Sequence, residues 1–398
     1  MRPERTFCTV FPAYKDFHFY KDPGQVPYRF SRFGYKSSLV CYARKKDLPE
    51  TAKYLRIICF PGNYLTRKLN IAVILFLLLN ARKIDILNTF HLTWDSLLFV
   101  FLYKALNRKG FAYLKLDNCS FSGPYPWEAD LAGERSEPVG RITLKRRVKS
   151  RIAARYFVMK VDLFSVEDQQ SRDVYEQKYR FFRGKLITVF NGHTSDLPGS
   201  AVPCGFEEKE DIILTAGRLG TYQKATEVLL DAFRTVAAHS VYNLHLAGPV
   251  ETSFRKHMDD YFNSDPSLKE RVIFHGALGR DELYDLYCRS KIFCMSSRYE
   301  GMALVFPEAM YYGNAIVTTW PVSVKQIIEE SRAGIVVEKD DPNALAKALL
   351  VLINDSDLIL ETGQSAHETS ATLFNWENII PILIKEIEFR INREKDKA

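Results

Sequence analysis

The sequence predicts an α/β chain made of two doubly wound, Rossmann-like units. Three observations point there. Its 398 residues exceed what one ordinary core organises, and two compact units are the natural division. Short apolar runs recur along both halves, separated by segments that can be helical. The composition, 46% hydrophobic and 26% charged, supplies apolar side chains for two cores and excludes a disordered chain.

The second half shows the plan more clearly. The runs "DIILTAG", "YNLHLAG", "RVIFHG", "KIFCMSS", "NAIVTT" and "AGIVVE" read as strands. Between the first two lies "ATEVLLDAFRTVAAHS", whose pairs Val228/Leu229, Ala232/Phe233 and Val236/Ala237 recur on one helix face. Strand, helix, strand in alternation implies a parallel sheet. The first half repeats this with "TFCTVFPA", "SSLVCYA", "RIICF", "DILNTF", "FAYLKLD", "LFSVED" and "KLITVFN".

The stretch from Asn191 to Glu210 is rich in Gly, Pro and charge and reads as the linker between halves. The expected domains are therefore residues 1–200 and 201–375. The tail 376–398 is expected to be an amphipathic helix that packs back on the first domain. Two such domains would face a central cleft, and open α/β sheets bind ligands at the carboxyl ends of their strands.

Seven scattered cysteines lack the close spacing of metal or redox motifs and fit a reducing cytosol. The first twenty residues lack the apolar core of a signal peptide, so a cytoplasmic protein is expected. From Arg141 to Lys160 there are eight Lys or Arg and no acid, a block suited to anionic lipid or a phosphorylated ligand, or else a solvated helix face. Its only aromatics are Tyr156 and Phe157, too few for nucleic-acid stacking, so no nucleic acid is expected. The apolar run between Asn70 and Asn80 is too short for the roughly 20 residues of a membrane span and reads as a buried helix. With the adjoining "WDSLLFVFLYKALNRKG" it offers a second reading, a patch for peripheral membrane contact.

The chemistry concentrates in "RYEGMALVFPEAMYYGN", Arg298 to Asn314. Glu300 and Gly301 follow the strand "KIFCMSS", and Pro307 and Gly313 bound a short helix with Glu308 in its first turn. Such a loop can offer backbone N–H groups to a phosphate while the carboxylates accept from hydroxyls. A second cluster, "TAGRLGTYQKATEVLLDAF", puts Gly217 and Arg218 at a strand end and Lys224 just before a helix, two cations suited to a diphosphate. Each feature also has a plain structural reading: a solvated Glu300, a Glu308 that complements a helix dipole, and Arg218 and Lys224 as surface charges.

The run "AGRL", then Lys224, then "SSRYEGMALVFPEAMYYGNAIVTT" resembles the donor-binding domain of glycosyltransferase family 4, retaining enzymes of the GT-B fold; "FNG" at Phe190 to Gly192 is similar to the family's Asn-Gly before the linker. The resemblance covers residues 205–375. It implies that Arg218 and Lys224 hold the diphosphate of a nucleotide-sugar donor, that Glu308 binds the ribose and that Glu300 contacts the transferred sugar. Gly217 and the amides of Gly301, Met302, Ala303 and Leu304 would complete the donor site. Transfer would proceed with retention, the departing phosphate assisting the acceptor hydroxyl, with no protein nucleophile, cofactor or metal.

The first half departs from the family's pattern. Where many members have paired glycines after the first strand, "KDPGQVPYRF" has only Gly24. Where many place a histidine, "FAYLKLDN" offers Asp117, with Lys115 nearby. Asp117 thus joins Glu300, Arg218 and Lys224 as a catalytic candidate, and Gly24, Lys115 and His91 are the candidates on the acceptor side. No His-Glu-x-x-His pattern occurs, and the Asp-x-Asp at Asp355 and Asp357 reads as helix capping. The expected function is transfer of a sugar to an acceptor hydroxyl (a sugar, lipid-linked sugar or glycolipid), in bacterial surface-polysaccharide or glycolipid synthesis at the inner face of the membrane. A silent GT-B subunit docking a partner enzyme and a sugar-nucleotide epimerase are the alternatives.

Overall fold

The computed structural model describes residues 5–43, 55–61, 69–116, 156–194, 197, 202–320 and 324–395. The chain divides into two compact units, Met1–Phe190 with Trp376–Ala398, and Asn191–Asn375. The division thus falls ten residues ahead of the position 200 read from composition.

The first unit holds a seven-stranded sheet, with β1 (Thr6–Val10), β2 (Lys36–Cys41), β3 (Arg56–Cys59), β4 (Ile86–Phe90), β5 (Phe111–Lys115), β6 (Leu163–Val166) and β7 (Leu186–Thr188) in the order β3-β2-β1-β4-β5-β6-β7. Neighbouring strands pair in parallel throughout. Its helices include α1 (Asp22–Arg32), α2 (Ile71–Asn80), α3 (Trp94–Leu106) and α4 (Gln169–Lys178). Thr93 and Asp168 cap α3 and α4, each side chain accepting from a backbone N–H three residues on.

Two expectations change here. Gly24 lies inside α1 and not on a loop, because Pro23 takes an early helix position where its missing N–H costs nothing. A Cβ at Gly24 would stand 2.4 Å from Phe19 Cα, so the glycine lets α1 pack on the preceding turn. The helix α2 is not buried all round: Val73 and Leu77 face the core, while Leu75 and Leu79 are 52% and 78% exposed.

The second unit repeats the design with β8 (Glu210–Ala216), β9 (Asn243–Ala247), β10 (Val272–Gly276), β11 (Ser290–Met295), β12 (Ala315–Trp320) and β13 (Gly334–Glu338), ordered β10-β9-β8-β11-β12-β13 and parallel throughout. The helices α5 (Thr226–His239), α6 (Arg255–Ser264), α7 (Arg280–Arg289), α8 (Val305–Tyr311), α9 (Lys325–Ser331), α10 (Pro342–Ile353) and α11 (Ser356–Leu373) cover it. On α5, Val228, Leu229, Ala232, Phe233 and Val236 are buried, the face read from the sequence. Asp355 caps α11 by accepting from the Leu358 N–H at 2.9 Å, the role read for it.

The last helix, α12 (Trp376–Lys395), belongs to the first unit. Its stripe of Trp376, Ile380, Leu383, Ile387 and Ile391 is buried. Glu377 pairs with the fully buried Arg29 of α1 at 2.8 Å, and Glu388 pairs with Arg5 at 2.9 Å.

Candidate functional site

Each sheet reverses its strand order once, between β1 and β4 in the first unit and between β8 and β11 in the second. At such a point the crossover helices leave to opposite faces of the sheet, and the carboxyl edge opens a crevice for a ligand. The predicted chemistry of the second unit falls on this edge. Gly217, Arg218 and Lys224 follow β8, and Glu300 follows its sheet neighbour β11.

The two loops meet in an ion pair. Lys224 Nζ lies 2.6 Å from Glu300 Oε1, with side-chain exposures of 16% and 7%. The same oxygen accepts from Ser297 Oγ at 2.9 Å. Glu300 is therefore buried and paired, which rules out the solvated carboxylate of the plain reading. Burying a charge is costly unless a partner compensates it, so two residues far apart in sequence depend on each other.

The loop that carries Lys224 is fixed from several sides. Gln223 donates to the Tyr299 carbonyl at 3.2 Å and accepts from Arg218 Nη2 at 3.2 Å, linking the exposed Arg218 to the segment that holds Glu300. Arg298 clamps the outside, pairing with Asp340 and Glu227, donating to the Tyr222 carbonyl and stacking over the Tyr222 ring at 4.4 Å. Ala225 takes a left-handed conformation, φ 45°, at the entrance to α5. Ser296 Oγ donates to the Lys224 and Ala225 carbonyls at 3.1 and 2.9 Å, holding that strained turn in place.

Glycines set the depth of the edge. A Cβ at Gly217 would press on Lys224 Cε at 3.0 Å. One at Gly248, φ 136°, would overlap the Gly217 carbonyl oxygen at 1.8 Å.

Around Gly301 to Leu304 the chain makes a tight turn in which the Ala303 N–H donates to the Gly301 carbonyl at 3.0 Å. Met302 is buried, and its Sδ accepts from the Asn191 N–H at 3.3 Å, so the first residue of the second unit docks on this loop. Glu308 sits in the first turn of α8, and Gly313, φ 71°, follows its end, both as read. Its Oε2 accepts from the Tyr287 hydroxyl of α7 at 3.4 Å. Burial, then the Glu308 carboxylate, pushes the Tyr287 hydroxyl well above its ordinary range, which keeps it a hydrogen-bond donor. Lys224 and Glu300 thus touch, Arg218 joins them through Gln223, and Glu308 is held separately against α7.

In the first unit, His91 follows β4 at the reversal point with φ 58°, its ring 5.7 Å from that of Phe11. Lys115 at the end of β5 is fully buried between Asp22, 3.8 Å away, and Glu167, 3.6 Å away, and so serves as an internal counter-charge. Asp117 lies outside the described residues, as do residues 141–155 of the basic block. Sequence reasoning missed Gln223, Ser296 and Ser297. The polar doublet ending "KIFCMSS" was the one visible sign of Ser296 and Ser297, since polar residues directly after an apolar strand stand at its carboxyl edge.

Among the described residues no group of three His, Cys, Asp or Glu could hold a metal ion, and no helix is long and apolar enough to cross a membrane.

Residues 210–355 match the family model "Glycosyl transferases group 1". Mannosylfructose-phosphate synthase of Agrobacterium fabrum is 27% identical over 47% of this chain and 42% of its own length. A Campylobacter jejuni enzyme that is 26% identical over 40% of this chain and 44% of its own is named as an α-1,4-N-acetyl-D-galactosaminyltransferase acting on a diNAcBac-PP-undecaprenol glycan. The chain thus aligns with less than half the length of these curated relatives. Anabaena HepE in complex with UDP superposes with a TM-score of 0.71, 13% identity and coverage of 96% of this chain and 99% of that one, a likeness of fold. The two parallel Rossmann-like sheets have the GT-B fold, and most of the second unit, residues 210–355, matches the glycosyl transferases group 1 model.

Proposed function

We propose that the protein is a retaining glycosyltransferase that moves a sugar from a nucleoside-diphosphate sugar to an acceptor hydroxyl. The observation that carries this reading is the buried Lys224–Glu300 pair, 2.6 Å apart at the strand-order reversal of the group 1 domain. Without donor each member neutralises the other. A donor's pyrophosphate then takes Lys224 as counter-charge, joined by Arg218, while Glu300 turns to accept from hydroxyls of the sugar ring. Glu308, oriented by the Tyr287 hydroxyl, suits the ribose diol.

The bond from the anomeric carbon to the β-phosphate oxygen breaks as the acceptor oxygen bonds to the same face, and the departing phosphate takes the acceptor proton. Lys224 and Arg218 stabilise the charge that builds on the leaving group. This route asks for no protein nucleophile, cofactor or metal.

The acceptor is a sugar, lipid-linked sugar or glycolipid in the synthesis of a bacterial surface polysaccharide, met at the inner face of the membrane. The resemblance to the Campylobacter enzyme with its undecaprenol-linked acceptor supports that part. The test is transfer and donor hydrolysis against a panel of nucleotide sugars, with product stereochemistry read by NMR. Glu300→Ala and Lys224→Ala are expected to lose activity; variants as active as the parent would dismiss this site, and an inverted product would dismiss retention.

A further inference from the structure

The strongest feature the sugar-transfer reading leaves unused is α2. Leu69, Ile71, Leu75, Leu78 and Leu79 are 39% to 78% exposed. From Ile71 onward their spacing places them on one stripe of the helix, opposite the buried Val73 and Leu77. A water-soluble surface rarely gathers so many large apolar side chains. From Leu69 to Ile84 the chain has no acid, Arg82 and Lys83 at the end of the helix are exposed, and Arg67 and Lys68 stand just ahead of it in the sequence. The neighbouring α3, which packs against α2, opens on Trp94, 47% exposed, an aromatic of the kind that settles at a lipid–water boundary.

The size of the stripe decides between occupants. A helix of ten residues is about 15 Å long and roughly 10 Å wide, a footprint on the order of 150 Å². A stable protein partner needs about 800 Å² on each side. An interfacial helix needs only its apolar face in the acyl boundary and cations at the headgroups.

We propose that α2 lies in the plane of an anionic membrane, its leucine stripe among the acyl chains and Arg82 and Lys83 against lipid phosphates. This deepens the reading of a membrane-side acceptor by naming the surface that meets the bilayer, and its test needs neither donor nor acceptor.

The test is co-sedimentation of the full chain with vesicles of phosphatidylglycerol and phosphatidylcholine, compared with phosphatidylcholine alone. The parent is expected to bind the anionic vesicles, less at high salt. Arg82→Gln with Lys83→Gln should weaken that binding about 30-fold, roughly fivefold per cation. Leu78→Gln with Leu79→Gln should weaken it at least tenfold at an unchanged melting temperature, since both side chains are exposed. A parent that stays in the supernatant, or variants that bind as the parent does, overturns the proposal. So does a concentration-dependent dimer, seen by sedimentation velocity, that Leu79→Gln abolishes, because the stripe would then be a subunit contact. If vesicle binding fails while sugar transfer persists, only this inference falls; if transfer fails while vesicle binding persists, only the site reading does.

Discussion

Removing either member of the Lys224–Glu300 pair should cost far more than removing both. In Lys224→Ala, Glu300 keeps the Ser297 hydroxyl but loses the ammonium that offsets its burial. Stripping one partner from a buried pair costs about 3–5 kcal/mol. Lys224 is 16% exposed, so water reaches part of the gap and a loss of roughly 2–4 kcal/mol is expected. Glu300→Ala should cost a comparable amount by stranding Lys224. The double variant has no stranded charge and should lose only about 1–2 kcal/mol, so the two single costs together exceed it by at least roughly 2 kcal/mol. Urea unfolding of the four proteins measures it. Costs of the two single variants that simply add, with coupling under about 0.5 kcal/mol, would mean that the pair does not exist in solution. The same variants separate stability from function, since Lys224→Ala should lower turnover about 10²–10³-fold even where it remains folded.

Three further outcomes are expected. Gly248→Ala should destabilise the chain by at least 1–3 kcal/mol and weaken nucleotide binding, because its Cβ overlaps the Gly217 carbonyl oxygen beside Arg218; unchanged unfolding and binding would show that the loop yields freely. Stability should fall as pH drops from about 6.5 to about 4: burial first, then His275 and Arg289, lower His245 to about 4, so in this window the unfolded chain takes up a proton that the folded chain refuses. His245→Gln should flatten that slope in urea midpoints measured against pH, and parallel curves for parent and variant would count against it. Glu377→Ala should cost about 2–4 kcal/mol by leaving the buried Arg29 without its carboxylate, and a variant with the parent's melting curve would show that α12 is not fastened there.

The strands were legible because strands buried on both faces of a parallel sheet read as unbroken apolar runs. Each of the runs from "TFCTVFPA" to "AGIVVE" holds one of β1 to β13. The short helix of "RYEGMALVFPEAMYYGN" was legible from Pro307 and Gly313, although it starts at Val305. The place of Gly24 inside a helix was not legible, since Pro-Gly is a common turn signal and nothing local says that Phe19 packs against it. The sequence left α2 open between a buried helix and an exposed patch, because an apolar helix looks the same in sequence whether its far side meets protein or something else. At the site, residue types and strand-end positions were readable, but the contact between Lys224 and Glu300 was not, because it joins positions 76 apart through sheet order. Gln223 and Ser297 carry no periodic signal, and only the geometry shows what they hold.

The most direct measurement is the shift in melting temperature with uridine, guanosine and adenosine diphosphates, read on the parent and on Lys224→Ala. A nucleotide at a hundredfold over its dissociation constant stabilises the folded state by about 2.7 kcal/mol. One of the three should raise the parent's melting temperature by several degrees and leave that of Lys224→Ala where it was. If none shifts the parent, or if the variant shifts equally, the pair at the β8–β11 reversal does not hold a donor.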